Sequence, residues 1–268
     1  MAYEVFAGVY DAFNEDADYD ALCTQILARL RAHGIDSGII ADLGCGTGDL
    51  TLRLAAAGYE MIGVDLSEEM LCVLREKMAE AGRCDILLLQ QDLRRLDLYG
   101  TINAAVSTFD TFNHIGPYEQ FRAALTRSAL FIEPGGLFLF DMNTPYKHER
   151  VLADQRYVME DEEILFTWQN HYDAARRATD IHLDITYKDE DEPYEEDFTE
   201  YAYTLEEIRA ACEEAGLAVE DVCDGEAFGP LTQDSQRYLV TARKLAGRNC
   251  NRVYEEEEKH GKDDPGDL

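Results

Sequence analysis

An apolar run, Ile39-Ile-Ala-Asp-Leu43, passes directly into Gly44-Cys-Gly-Thr-Gly48, and no other stretch restricts the fold of this chain as strongly. Glycines at alternate positions let the backbone adopt conformations barred to other residues and come close to a ligand. A helix starting at Asp49 would offer its free N–H groups to a carboxylate or phosphate. Strand, glycine loop and helix in that order read as the first unit of a nucleotide-cofactor fold. Spacing narrows the cofactor. A dinucleotide loop needs G-x-G-x-x-G; counted from Gly44 this pattern demands glycine where Asp49 stands, and from Gly46 none follows in register. A phosphate loop fails as well, because no Gly-Lys-Ser/Thr follows.

The next strand, Glu60 to Val64, ends at Asp65, 17 positions beyond Gly48, where a carboxylate can accept both hydroxyls of a ribose. A third apolar segment, Asp85 to Gln91, ends on Asp92-Leu93. Three successive strand ends thus carry an aspartate, and in an open α/β sheet the ligand crevice lies outside those ends. Two helices precede this unit: Tyr3, Phe6, Tyr10 and Phe13 recur at helical spacing, as do Leu22, Ile26 and Leu30 before Gly34. Alternation continues through a strand at 104–108, a helix near Pro117, the turn Glu133-Pro-Gly-Gly136 and a strand from Leu137 to Phe140. Such alternation predicts a doubly wound, mostly parallel Rossmann-like α/β sheet. It fails between 156 and 203, where Ile164–Trp168, Ile181–Tyr187 and Phe198–Tyr203 read as β-rich segments of a small antiparallel insert. It resumes with a helix capped at Thr204 and strands near 217–222 and 237–243, for seven strands in all. The expected division is a cofactor-binding domain over 1–155 and 204–245, the insert over 156–203 as a lid on the acceptor, and an acidic, disordered tail over 246–268.

Charge bears on the partners. With 55 acidic against 24 basic residues in 268, the formal charge is −31. That field repels polyanions, whereas nucleic-acid binders displace counterions with lysine and arginine, so nucleic acid is not expected as a partner. Seven cysteines, an odd number without Cys-x-x-Cys spacing, read as free thiols in a reducing compartment, and no metal site is indicated. No apolar run approaches the roughly 18 residues of a membrane helix. A cytoplasmic location without membrane contact is the expectation.

The distributed set Asp42-Leu-Gly-Cys-Gly-Thr-Gly48, Gly63-Val-Asp-Leu-Ser67, Gln91-Asp-Leu93 and Glu133-Pro-Gly-Gly136 resembles the class I S-adenosylmethionine-dependent methyltransferases. Within them, Tyr3-x-x-Phe6-Ala-x-x-Tyr10-Asp11-x-Phe13, the Asp18-Tyr19 that follows, and Trp168 resemble a bacterial YqeM-like branch, and the amino-sugar N,N-dimethyltransferases are similar in layout. The resemblance spans about Tyr3 to Lys244. It implies S-adenosyl-L-methionine as cofactor. Asp42, Gly44, Cys45, Gly46 and Gly48 would then surround its methionine part, Asp65 with Leu66 the ribose, and Asp92 with Leu93 the adenine edge, with Tyr10 closing over the whole.

Methyl transfer from a sulfonium is an in-line displacement, for which holding donor and acceptor in attack geometry without water supplies most of the catalysis. A base matters only if the acceptor arrives protonated. Asp110 and His114 are the candidates for that role, and Asn113, Asp141 and Asn143 for acceptor contacts, because 108–114 and the end of strand five border the crevice. Trp168 and Tyr201, with His171 and Tyr203, are the residues of the insert expected to wall the acceptor; the same aromatics equally suit attachment of the insert to the sheet, or a homodimer contact. The leading function is methylation of a small molecule. A tRNA or protein methyltransferase and a non-catalytic cofactor-binding module remain the alternatives.

Overall fold

The computed structural model describes residues 7, 10–14, 17–160, 164–189 and 193–247. Tyr3, Phe6 and the acidic stretch beyond 247 lie outside them. A short helix α1 (Tyr10–Phe13) leads to α2 (Tyr19–Ala32), whose N-cap Asp18 accepts a hydrogen bond from Ala21 N at 2.8 Å and whose Leu22, Cys23, Ile26 and Leu30 form one buried face. β1 (Ile39–Leu43) is apolar but for Asp42 near its end, and buried from Ile40 onward, as befits an inner parallel strand. The loop after it turns at Gly44 and Gly48, both with positive φ; a Cβ there would meet Thr111 at 2.3 Å and Leu74 at 2.0 Å respectively, so only glycine fits.

α3 (Asp49–Ala56), β2 (Glu60–Asp65), α4 (Glu68–Glu80) and β3 (Leu87–Gln90) complete the first half. Ser67 caps α4 through Met70 N, and Glu68 and Glu69 occupy its first turn, favourable at the positive end of the helix. The second half runs β4 (Ile102–Ser107), α5 (Tyr118–Phe131) and β5 (Ile132–Asn143), and after the insert α6 (Leu205–Glu214), β10 (Leu217–Asp224) and β11 (Arg237–Lys244). The cap expected at Thr204 is present as a capping box with Glu207.

The seven strands lie in the order β10-β11-β5-β4-β1-β2-β3, parallel except for β11, which is antiparallel to both neighbours. One apolar core, rich in Phe112, Phe121, Phe138 and Phe140, fills the α5–α6 side; another, around Ile26, Leu30, Leu54 and Leu74, fills the α2–α4 side.

The insert forms its own four-stranded antiparallel sheet of β6 (Arg156–Glu160), β7 (Ile164–Asp173), β8 (Ala178–Tyr187) and β9 (Tyr194–Tyr201), in chain order. Its small core of Phe166, Ile181, Leu183 and Ile185 receives Tyr10, Trp168 and Phe198 at the edge. Two elements differ from the sequence expectation. β6 is an additional strand, exposed along its whole length, so it carries no alternation of buried and exposed residues to betray it. A helical turn of π type, Lys147–Leu152, leads from β5 into the insert and brings Lys147 and His148 under it.

Candidate active site

At the carboxyl ends of β1 to β4 a cleft of about 290 Å³ opens between the glycine loop, the start of α4, residues 91–94 and residues 108–116. Gly44, Gly46, Asp65, Leu66, Asp92 and Leu93 all line it, as does Tyr10 from the other side. Asp65 is held by Gly46 N at 2.8 Å on one oxygen and Ser67 N at 2.9 Å on the other. Burial raises its carboxyl above the ordinary range, and those N–H donors oppose the rise. Each carboxylate oxygen keeps a second lone pair for a ribose hydroxyl. Asp92 is engaged by Arg94, whose Nε lies 2.9 Å away and whose hydrogen bonds hold the carboxyl below its usual range. An adenine amino group would share that carboxylate with Arg94. Leu66, 51 % exposed, forms the rim.

A narrow crevice continues behind the loop among Tyr10, Tyr19, Asp42, Cys45, Thr47 and Gly48. Asp42 is buried there and accepts from Thr51 Oγ1 at 2.6 Å; burial pushes its carboxyl up to about 7. The short helix α1 is tied over this end by Asp11, which accepts from Thr47 Oγ1 at 2.6 Å and pairs with Lys77 at 2.6 Å.

A second cavity of about 270 Å³ adjoins the cleft, with Tyr10, Phe109 and His114 as walls of both. Its remaining lining includes Asp110, Asn143, Lys147, Tyr157, Trp168, Glu200 and Arg237. Phe109 and Asp110 have φ of 55° and 53°, a left-handed pair that costs energy without glycine. Asp141 stabilises it, accepting from Phe109 N at 2.9 Å and Asp110 N at 2.7 Å. Arg237 then bridges Asp141 at 2.9 Å and Asp110 at 2.7 Å. Burial opposes ionisation of Asp110, yet Arg237 and then Lys147 hold its carboxyl below the usual range. Burial pushes the Asp141 carboxyl the other way, with Arg237 opposing, Asp110 adding to the rise, and the Phe109 and Asp110 amides opposing it.

Glu200, 3 % exposed on β9, approaches from the insert. Asn143 Nδ2 donates to its Oε2 at 3.1 Å while Asn143 Oδ1 accepts from Lys147 Nζ at 2.9 Å, which fixes the amide orientation. Burial and the charge of Asp110 push the Glu200 carboxyl up to about 8. His114 Nε2 stands 3.7 Å from Asp110 Oδ2 and 4.0 Å from Glu200 Oε1, and one ligand atom from each of the three residues falls within 4.8 Å of the others. Burial pulls the His114 imidazole below its usual value, with Asp110 opposing.

Asp110, His114, Asn143 and Trp168 come together around one cavity. Five of the residues proposed for acceptor contact, Asn113, Asp141, His171, Tyr201 and Tyr203, do not line it. Asn113 is fully buried and clamps the insert to the sheet, donating to Tyr201 O at 2.9 Å and accepting from Asn143 N at 2.9 Å. Asp141 serves backbone amides and Arg237 instead. The Tyr201 ring covers Gly116, where a Cβ would lie 2.2 Å from it, and stacks towards Tyr203. Tyr203 is buried, stacked on Phe121 with its hydroxyl on Ile115 O, and His171 is exposed beside Asp154.

Lys147, Glu200 and Arg237 were missed. Glu200 shares the inward phase of Phe198 on β9, an acidic residue on an apolar face, and that phase was the available signal. Arg237 pairs in register with Asn143 at the end of β5, which only the sheet order reveals.

Residues 40–136 match a family model described as a methyltransferase domain. The chain is 28 % identical to the putative methyltransferase YqeM of Bacillus subtilis, over 91 % of this chain and 98 % of that one. It is 30 % identical to the dTDP-3-amino-3,4,6-trideoxy-alpha-D-glucopyranose N,N-dimethyltransferase of Streptomyces venezuelae, over 57 % of this chain and 62 % of that one. Among solved structures, an S-adenosylmethionine-dependent methyltransferase from Clostridium acetobutylicum superposes with a TM-score of 0.81 at 24 % identity, covering 92 % of this chain and 100 % of that one. No helix among the described residues is long and apolar enough to cross a membrane.

Proposed function

Because the chain is a class I S-adenosylmethionine-dependent methyltransferase, we propose that it delivers the sulfonium methyl group to a small molecule seated in the second cavity. The observation that carries this reading is the shared wall: Tyr10, Phe109 and His114 border both the cofactor cleft and the adjoining cavity. A cofactor whose methionine part lies along Gly44–Gly48, with Asp65 on its ribose and Asp92 at its adenine, would turn its methyl towards that wall. An acceptor atom on the far side then meets the carbon in line with the leaving sulfur.

The cavity's volume of about 270 Å³ suits a metabolite, and its mixture of Trp168 and Tyr157 with a few fixed polar groups is what a small-molecule site requires. The insert closes this cavity from above through Trp168 and Glu200, in keeping with a lid over the acceptor. The relative from Streptomyces venezuelae acts by its name on a nucleotide-linked amino sugar, which supports a small acceptor here. A charge of −31 weighs against transfer RNA.

The test is incubation with labelled S-adenosylmethionine and a metabolite extract freed of protein and RNA. A labelled low-molecular-weight product is expected. Label that appears only when RNA or protein is restored would end this reading.

A further inference from the structure

We propose that Asp110 Oδ2, His114 Nε2 and Glu200 Oε1 form the seat of a protonated amine on the acceptor, and that Glu200 takes the proton that must leave before the nitrogen can attack. This rests on reading the second cavity as the acceptor site. It goes further by naming the acceptor's reactive group and a catalytic carboxylate on the insert.

Geometry comes first. Three atoms no more than 4.8 Å apart admit a centre about 2.8 Å from each, the length of a charge-assisted ammonium hydrogen bond. An ammonium nitrogen with three N–H donors fills that point and can donate to all three. A compact divalent metal fits less well: at about 2.1 Å from each ligand it would need ligand atoms roughly 3–3.5 Å apart. The separations from His114 are 3.7 Å and 4.0 Å.

Charge leads to the same class of ligand. Asp110, Asp141 and Glu200 bring three carboxylates, against the two cations Arg237 and Lys147. Arg237 is committed to the two aspartates. One ammonium balances Glu200 once that carboxyl is ionised, whereas a divalent ion overshoots it. The other Glu200 oxygen, Oε2, is occupied by Asn143, so Oε1 is the one aimed at the cavity. Alongside, His148 Nε2, buried and without a hydrogen-bond partner among the described residues, is 4.0 Å from Oε2.

An amine at neutral pH carries its lone pair on a proton and cannot displace sulfur. In the proposed step the ammonium N–H bond breaks and its proton passes to the Glu200 carboxylate. The freed lone pair attacks the methyl carbon, the C–S bond breaks, and its electron pair stays on sulfur. The products are S-adenosylhomocysteine, an N-methylammonium and a neutral Glu200. Total charge is unchanged. Burial and Asp110 already poise Glu200 to exchange a proton near neutrality, and an arriving ammonium favours its ionised form. The other groups facing it are His114, Lys147, His148 and Arg237, whose charges set this balance jointly.

Calorimetry tests the seat directly with two probes of equal shape. Protein loaded with S-adenosylhomocysteine is titrated with cyclohexylamine and with cyclohexanol, first as wild type and then as Glu200→Gln. The amine should bind wild type at least tenfold more tightly than the alcohol. Glu200→Gln should abolish that preference while leaving alcohol and S-adenosylhomocysteine affinity unchanged. Equal binding of the two probes to wild type, binding of neither, or a preference that survives the substitution would overturn the proposal. So would tight Mn2+ binding that is lost in Glu200→Gln, which would mark a metal centre. The wild-type comparison needs no variant, so a misfolded Glu200→Gln cannot shelter the idea. If the labelled extract yields an O-methyl or C-methyl product, the small-molecule reading stands and this inference fails; if it yields no labelled small molecule, the earlier reading is what fails.

Discussion

Asp141→Asn tests whether the left-handed pair at Phe109 and Asp110 is held by a buried carboxylate. In the native site both carboxylate oxygens accept: Oδ2 from Phe109 N at 2.9 Å, Oδ1 from Asp110 N at 2.7 Å and from Arg237 at 2.9 Å. An asparagine keeps the shape but must present an NH2 in place of one oxygen. Turned to the less costly side, that NH2 faces the Phe109 N–H, donor against donor, and the remaining oxygen meets Asp110 N and Arg237 without its charge. Breaking one side of a buried, hydrogen-bonded ion pair costs about 3–5 kcal/mol. For a domain of this size each kcal/mol lowers the melting temperature by about 2–4 °C, so a drop of roughly 6–20 °C follows from the same estimate. The assay is thermal unfolding followed by circular dichroism with and without S-adenosylhomocysteine. Because Phe109 lines both cavities and Asp110 the second, methyl transfer measured below the transition should fall as well. A melting temperature within about 3 °C of wild type, equivalent to roughly 1 kcal/mol, would refute the reasoning and leave the two φ values to be held by something else.

Three further outcomes are expected. Asp65→Ala should weaken S-adenosylmethionine binding by about 1.5–3 kcal/mol, the scale of hydrogen bonds to a charged group; calorimetry giving the wild-type constant in a folded variant would remove Asp65 from the ribose site. Glu200 holds its proton in the folded state up to about pH 8, whereas an unfolded glutamate loses it near about pH 4.3. The folded chain therefore binds more protons between those values, and stability falls as pH rises through that window. Between pH 6.5 and 8 the slope amounts to about 2 kcal/mol, and urea titrations of Glu200→Gln should show it flattened; an unchanged slope would mean Glu200 is ionised when folded. Trp168→Ala should raise KM for the acceptor with S-adenosylmethionine affinity unaltered, since Trp168 lines the second cavity and not the cofactor cleft; a loss confined to cofactor binding would place the tryptophan elsewhere in the mechanism.

The sequence by itself determined the cofactor half of this protein, because everything needed there is local. The strand Ile39–Leu43, its glycine loop and the aspartates at 42, 65 and 92 sit at strand ends, and a strand end followed by a glycine turn constrains backbone and side chain within a few residues. The alternation of elements likewise foretold the seven-stranded sheet, and its failure after residue 155 announced an antiparallel insert. The cavity proposed for the acceptor was legible only in part. Asp110, His114, Asn143 and Trp168 come from segments flagged as crevice-forming, but which side chains turn into the cavity depended on partners far away in sequence. Asp141 and Asn113 look as polar as Asp110 from the sequence; tertiary structure gives the first to the backbone of Phe109 and Asp110 and spends the second as a clamp between Asn143 and Tyr201. Glu200 and Arg237 read as ordinary strand residues until β9 and β11 set them against Asn143 and Asp110. Burial did the rest: a carboxylate among 55 acidic residues becomes chemically distinct only when packing removes its water and leaves it facing the same cavity as two other proton acceptors.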